Sequence, residues 1–494
     1  MSEVPGLVAV AVVTVATLAI GTWGLRFSRT TSDFFVASRS VRPRLNASAI
    51  AGEYLSAASF LGAAGLLLTF GADMLWYPVG WTAGYLVLMV LVAAPLRRSG
   101  AYTLPDFAEA RLDSRRVRQV CSLLVVAIGW LYLAPQFEGA GLTLAAAIGA
   151  PRWVGPLVVG LVVLVNVGSG GMRSITFVQA FQYWLKLTAL LVPAAVLLVV
   201  WAGDGASGQS VTADDWSLPV GDGGGLGLYT TYSLILATFL GTMGLPHVVV
   251  RFYTNPDGRA ARRTTLAVLA LLGAFYLLPP IYVALGRAYG ADPTAADTLV
   301  LELPRLVAPG VVGDVLTGLV TAGAFAAFLS TASGLAIAVS GVLTQDVTSR
   351  RLAGITAFRV AGVVAVLVPL SAALLLPDFG VARAVGLAFA VAASTFCPLL
   401  VLGIWWRRLT AAGAVAGLLV GGAGSMAAVA LTLADVTTRG WVDVLLAQPA
   451  AWSVPLAFAT MVGGSLLTAR RAPAHAHRFM VRLHTPETVD LDRS

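Results

Sequence analysis

Long apolar runs follow one another along this chain, and they constrain its fold more than any other feature. A helix that crosses the ~30 Å hydrocarbon core of a bilayer needs about 20 mostly apolar residues. Thirteen such stretches lie near 5–25, 45–69, 76–96, 118–148, 154–171, 175–201, 229–251, 263–287, 310–343, 355–376, 382–405, 410–432 and 450–468. Of 494 residues 58% are hydrophobic and 11% charged, against about half and about a quarter in soluble domains. A soluble globule is excluded, and no soluble domain is left between the runs. Lipid requires every backbone group to be satisfied internally. Runs of this length therefore predict an all-α membrane protein of about 13 transmembrane helices.

The formal net charge of +8 would suit a nucleic-acid partner if the basic residues clustered on one surface. They follow membrane topology instead, and no nucleic-acid partner is indicated. With the N-terminus outside and the C-terminus inside, 26 of the 32 Lys and Arg fall on the inner side, 5 on the outer side, and Lys186 within a span. Such asymmetry sets orientation. Inner segments carry Arg26, Arg29, Arg39, Arg42 and Arg44, then Arg97, Arg98, Arg111, Arg115, Arg116 and Arg118, then Arg251, Arg259, Arg262 and Arg263. The outer loop 202–228 carries Asp204, Asp214, Asp215 and Asp222 and no base. The first span lacks the positive n-region of a signal peptide and reads as a retained helix. Cys121 and Cys397 lie in separate spans, and His247, His475, His477 and His484 show no ligand spacing, so neither a disulfide framework nor a zinc site is expected. The single Lys among so many Arg suggests a GC-rich bacterial genome, hence a multi-pass protein of a bacterial inner membrane. The polar tail from Arg470 is expected to be poorly ordered.

Interrupted helices are tolerated in a membrane only where they face protein or a watery cavity, so breaks point toward a site. Ala49-Ile-Ala-Gly-Glu-Tyr-Leu-Ser-Ala-Ala-Ser-Phe-Leu-Gly62 in the second span and Gly241-Thr-Met-Gly-Leu-Pro-His247 in the seventh each join small or polar residues to helix-weakening ones. They lie five spans apart, the separation of paired broken helices in inverted five-helix repeats. The alternative is close helix packing on small residues. The segment Thr321-Ala-Gly-Ala-Phe-Ala-Ala-Phe-Leu-Ser-Thr-Ala-Ser333 presents adjacent hydroxyls, Ser330 and Thr331. These either offer hard oxygens to a cation or bond back to their own helix.

Residues 30–435 resemble the solute:sodium symporter family, and within it the cation/acetate permeases of short monocarboxylates. The resemblance rests on Asp33-Phe-Phe-Val-Ala-Ser-Arg39, on Ala51-Gly-Glu-Tyr-Leu-Ser-Ala-Ala-Ser-Phe-Leu-Gly62 and on Gly241-Thr-Met-Gly-Leu-Pro-His-Val-Val-Val-Arg-Phe-Tyr253. It implies a leucine-transporter type fold and a co-transported sodium ion held by the carbonyls of Gly52, Leu55 and Ala327 and the hydroxyls of Ser330 and Thr331. The chain would then divide into an N-terminal helix and basic loop (1–44), a first repeat (45–201), the acidic loop (202–228), a second repeat (229–405), two peripheral helices (406–469) and a cytoplasmic tail (470–494). The substrate implied is a small carboxylate such as acetate, propionate or pyruvate. Glu53, Tyr54, Ser56, Ser59, Gln136 and Thr242 are its candidate neighbours, and residues 297–306 a candidate outer gate.

Glu53 stands where acetate permeases carry Asp. A carboxyl near the bilayer centre costs about 2.5–3.5 kcal/mol on insertion scales, so it demands a function or a partner. Glu138 poses the same question. Lys186 is placed nearer the inner helix end and is expected to snorkel to the interface. Besides the lipid bilayer, a small membrane accessory subunit is compatible with this reading, and oligomeric state is not encoded in it. Rival readings are a symporter of proline or sugar, a proton-coupled symporter using Glu53, and a membrane enzyme or sensor. No nucleophile with its base, phosphate loop or metal-ligand cluster supports the last of these.

Overall fold

The computed structural model describes residues 4–24, 26, 37–205, 224–346, 354–375, 380–434, 436 and 440–489. The motif residues 33–36 and the acids Asp214, Asp215 and Asp222 lie outside them. The described residues contain helices and no β-strand. Eleven helices are long and apolar enough to cross a bilayer, or twelve with one sharply bent pair. The remaining predicted stretch corresponds to the shorter apolar helix Val154–Gly168.

The elements are α1 (Val4–Gly24), α2 (Pro43–Tyr54), α3 (Ala58–Phe70), α4 (Ala72–Arg98), α5 (Leu104–Leu112) and α6 (Arg115–Ile148). Next come α7 (Val154–Gly168), α8 (Gly171–Gly203), α9 (Gly224–Gly244), α10 (Pro246–Val250), α11 (Gly258–Ala288), α12 (Leu299–Val307) and α13 (Val311–Asp346). The last six are α14 (Gly354–Leu375), α15 (Val381–Trp405), α16 (Ala411–Leu433), α17 (Trp441–Ala447), α18 (Ala450–Leu467) and α19 (Ala476–His484).

Local chemistry explains where these helices begin and end. Thr103 and Asp106 form a reciprocal capping box at the start of α5, and the Asp257 carboxylate accepts from the Ala260 N–H at 2.7 Å at the start of α11. Such caps satisfy N–H groups that a helix leaves unpaired. Pro43 and Pro246 open α2 and α10, where a missing N–H costs nothing.

Helix α13 is the axis of the molecule. Of its most apolar window 94% is buried, against 28% for α1, and it packs against α6, α8, α1 and α14. These helices form a scaffold. Helices α2, α4, α9 and α11 form a second group: α4 lies against α9 and α11, and α11 against α2. The two broken helices, α2/α3 and α9/α10, thus run where the second group meets the scaffold. Their breaks are unequal. The first bends by 73° across residues 55–57, whereas the second is one extended residue, Leu245 (φ −72°, ψ 118°).

The tail departs from expectation. Residues 476–484 form an amphipathic helix, α19, whose Met480 and Leu483 are buried. Apolar residues at helical spacing gave the tail a face to bury, which its overall polarity concealed.

Candidate functional site at the helix breaks

The 73° bend takes main-chain groups of residues 52–57 out of helical pairing, and side chains from the scaffold satisfy them. The Gln136 side-chain oxygen, on α6, accepts from the Ala57 N–H at 3.0 Å. The Thr331 hydroxyl, on α13, donates to the Glu53 carbonyl at 2.6 Å, and the Ser330 hydroxyl lies 2.7 Å from the Gly52 carbonyl and 3.0 Å from the Ala327 carbonyl, to either of which its one proton can be donated. All five residues expected to hold a cation, Gly52, Leu55, Ala327, Ser330 and Thr331, are therefore brought to one place. Glycine is required at 52 because a Cβ there would stand 2.1 Å from the Gln179 carbonyl oxygen. That close approach of α2 to α8 sets up the next contact.

Lys186 corrects the expectation that it snorkels to the interface. It lies at the middle of α8, fully buried, with its ammonium among the same oxygens. Nζ donates to the Leu55 carbonyl at 2.7 Å, to the Ser330 Oγ at 2.5 Å, and to the Gly52 carbonyl. An ammonium has three N–H donors, and three acceptors receive them. Position along the span did not reveal this, because the deciding quantity is which face of α8 meets α2 and α13.

Arg251 requires a second correction. Counted above among inner-side bases, it is buried just after α10, with Nε 2.5 Å from Glu53 Oε2. Its other nitrogens donate to the Thr176 hydroxyl at 3.0 Å and to the Gln179 side-chain oxygen. Gln179 in turn donates to the Ser330 carbonyl at 2.8 Å. Glu53 thus has its partner, and Gly334 makes room for it: a Cβ at 334 would meet Glu53 Oε1 at 2.1 Å. One network runs Lys186, Ser330, Gln179, Arg251, Glu53 and Thr331, joining both breaks to the scaffold. It contains two basic side chains and one acidic.

Beside the network lies a cluster of packed aromatic side chains. Tyr54 packs edge-on to Tyr85, with centroids 4.9 Å apart, and Trp81, Tyr132 and Tyr54 all contact Phe389. The Tyr54 hydroxyl pairs with the Thr242 hydroxyl at 2.7 Å, and Ser59 with the Tyr276 hydroxyl at 2.8 Å. Ser56 faces Tyr132. The amide nitrogen of Gln136 donates to the Tyr132 carbonyl at 3.2 Å, so both ends of that side chain serve the protein. Among the described residues, Trp81 Nε1, the Tyr85 hydroxyl and both His247 ring nitrogens are buried without a hydrogen-bond partner. Buried polar atoms are nearly always satisfied, so these mark where a ligand's polar atoms would fit. They escaped sequence reasoning because aromatic residues are ordinary in spans; only convergence distinguishes them.

Tyr77, 5.3 Å by ring centroid from Trp81, also lines a cavity of about 760 Å³ that includes Glu138, Arg152, Asp297 and Arg383. Glu138 therefore belongs to this vestibule and not to the network. The predicted gate segment contributes Asp297 and Thr298 to its wall.

Comparison with known proteins agrees with this architecture. The chain is 32% identical over 485 residues, 92% of each sequence, to the uncharacterized symporter YwcA of Bacillus subtilis. Among solved structures it is similar to a sodium-coupled sialic acid symporter in a substrate-bound outward-open state (TM-score 0.70, 16% identity, 94% of this chain and 98% of that one). It is also similar to MhsT in complex with L-phenylalanine (TM-score 0.57, 16% identity, 86% and 99%). A third similar structure is the nucleobase-cation-symport-1 family transporter MHP1 (TM-score 0.54, 17% identity, 91% and 98%). These likenesses establish the leucine-transporter type fold of inverted five-helix repeats. The family profile described as sodium:solute symporter matches residues 34–421, and the chain belongs to that family: it is a multi-pass secondary transporter of a small solute, not an enzyme.

Proposed function

We propose that this chain carries a short monocarboxylate such as acetate, propionate or pyruvate inward across a bacterial inner membrane, together with a cation. The observation that carries the reading is charge. The buried network holds Lys186 and Arg251 against Glu53 alone, and the unpartnered polar atoms of Trp81, Tyr85 and His247, the last with its ring 5.3 Å from that of Tyr132, belong to the aromatic cluster beside it. A small anion there would meet donors and an excess of positive charge; a neutral sugar would not compensate that charge. The break also presents the N-terminal end of α3, where a helix dipole favours negative charge.

Accumulating an anion against an inside-negative potential costs about 2.3 kcal/mol per charge per 100 mV, and one co-transported cation cancels that term. Sodium is the ion that family membership supports. A proton is the second reading, favoured by the presence of the Lys186 ammonium among the proposed sodium ligands.

The test is uptake of labelled acetate, propionate and pyruvate into proteoliposomes, with sodium and pH gradients imposed separately, for the parent and Trp81→Phe. The expected result is gradient-driven uptake of at least one acid. Loss of one hydrogen bond to a charged group, about 1.5–3 kcal/mol, should raise KM in Trp81→Phe by roughly tenfold or more. Accumulation of proline or a sugar with no carboxylate uptake would refute the assignment.

A further inference from the structure

We infer that Lys186 is a tethered cation standing in the place of the sodium ion, so that this transporter does not bind sodium at the helix break. The inference rests on the reading of the break as a cation site and deepens it by naming what fills that site; a fixed ammonium does not cross the membrane, so the co-transported cation is then the proton. The donor set suits either species: main-chain carbonyls and hydroxyls are hard, uncharged oxygens that bind a compact monovalent cation.

In this chain those oxygens are already engaged. The carbonyls of Gly52 and Leu55 and the hydroxyl of Ser330 receive the three N–H donors of Lys186. The Ser330 proton points to the Gly52 or Ala327 carbonyl, and Thr331 donates to Glu53. A sodium ion entering this cage would lose three of its five ligands to the ammonium and stand beside a like charge.

Lys186 is fully buried; the Glu53 carboxylate is paired with Arg251 through Oε2, its Oε1 having no hydrogen-bond partner, and Gln179 is engaged by Arg251 and the Ser330 carbonyl. Displacing Lys186 would leave a charged group without partners at mid-membrane, a strongly unfavourable state. The arrangement also accounts for the charge of the network. The built-in cation supplies the positive charge that sodium would otherwise bring to a co-bound anion.

The experiment is equilibrium binding of radiosodium to the purified full-length protein, for the parent, Lys186→Ala and Lys186→Gln, alongside uptake with sodium replaced by choline. The parent is expected to show no saturable sodium binding and unchanged uptake without sodium. Removing the ammonium in Lys186→Ala frees the cage, and saturable binding near one sodium per chain should appear. Uptake lost in Lys186→Ala should return with sodium or methylammonium and not with choline. Lys186→Gln provides the same gain-of-binding test should the alanine variant fail to fold. Saturable sodium binding by the parent overturns the inference and leaves the symporter reading intact, as does the absence of any gain in a folded Lys186 variant. Failure of the parent to take up any carboxylate refutes the proposed cargo instead; radiosodium binding requires no solute and still decides the question.

Discussion

Arg251 and Glu53 form a buried pair whose value lies in mutual dependence. Taking both charges out of water is costly, and removing one partner of such a pair strands the other at about 3–5 kcal/mol. Glu53→Gln should therefore lower the unfolding temperature in detergent substantially, whereas Glu53→Gln combined with Arg251→Met should recover part of the loss. If the single and double variants melt alike, the pair is not the structural unit described.

At the scale of elements, helix ends within a bundle need partners as much as helix breaks do. The C-terminal carbonyls at the end of α15 receive Arg111 of α5, which donates to the carbonyls of Gly403 at 2.9 Å and Trp406 at 3.0 Å. Burial lowers the Arg111 guanidinium from its ordinary value to about 10, which still leaves it charged at neutral pH. Cations at helix C-termini are favourable, and hydrogen bonds from charged donors contribute about 1.5–3 kcal/mol. Arg111→Met should thus destabilise the protein by about that amount in a denaturation experiment; a change below about 0.5 kcal/mol, typical of surface substitutions, would mean that solvent caps α15 equally well.

Across the whole molecule, α19 and the residues flanking it tie α4 and α11 to α5 and α15. Arg98 of α4 pairs with Glu487 at 3.3 Å, and Glu487 also accepts from the Gly258 N–H at the start of α11. His484 bonds to the Ile404 carbonyl of α15, and His475 to the Ala110 carbonyl of α5. Movement of α4 and α11 relative to α5 and α15 must stretch or release these contacts. Truncation after residue 472 is expected to increase hydrogen exchange at 93–98 and 258–262 while leaving the middle of α13 protected. Equal exchange in full-length and truncated protein would show that α19 does not restrain this end.

The sequence by itself determined the membrane class, the positions of the spans and the location of the two breaks, because the lipid solvent imposes length and apolarity on each span independently of its neighbours. The residues alone showed only a helix break and paired hydroxyls at Ser330 and Thr331; it was the resemblance to the sodium:solute symporters that named Gly52, Leu55 and Ala327 beside them. Only the tertiary structure decided what those oxygens hold. Lys186 reads as a helix-end base and Arg251 as a loop base until the rotation of α8 and the path of α10 turn both inward. The convergence of Trp81, Tyr85 and His247, and the docking of α19, are likewise properties of packing. A side chain's depth is written along the chain, but the face it turns to is set by which helices pack around it.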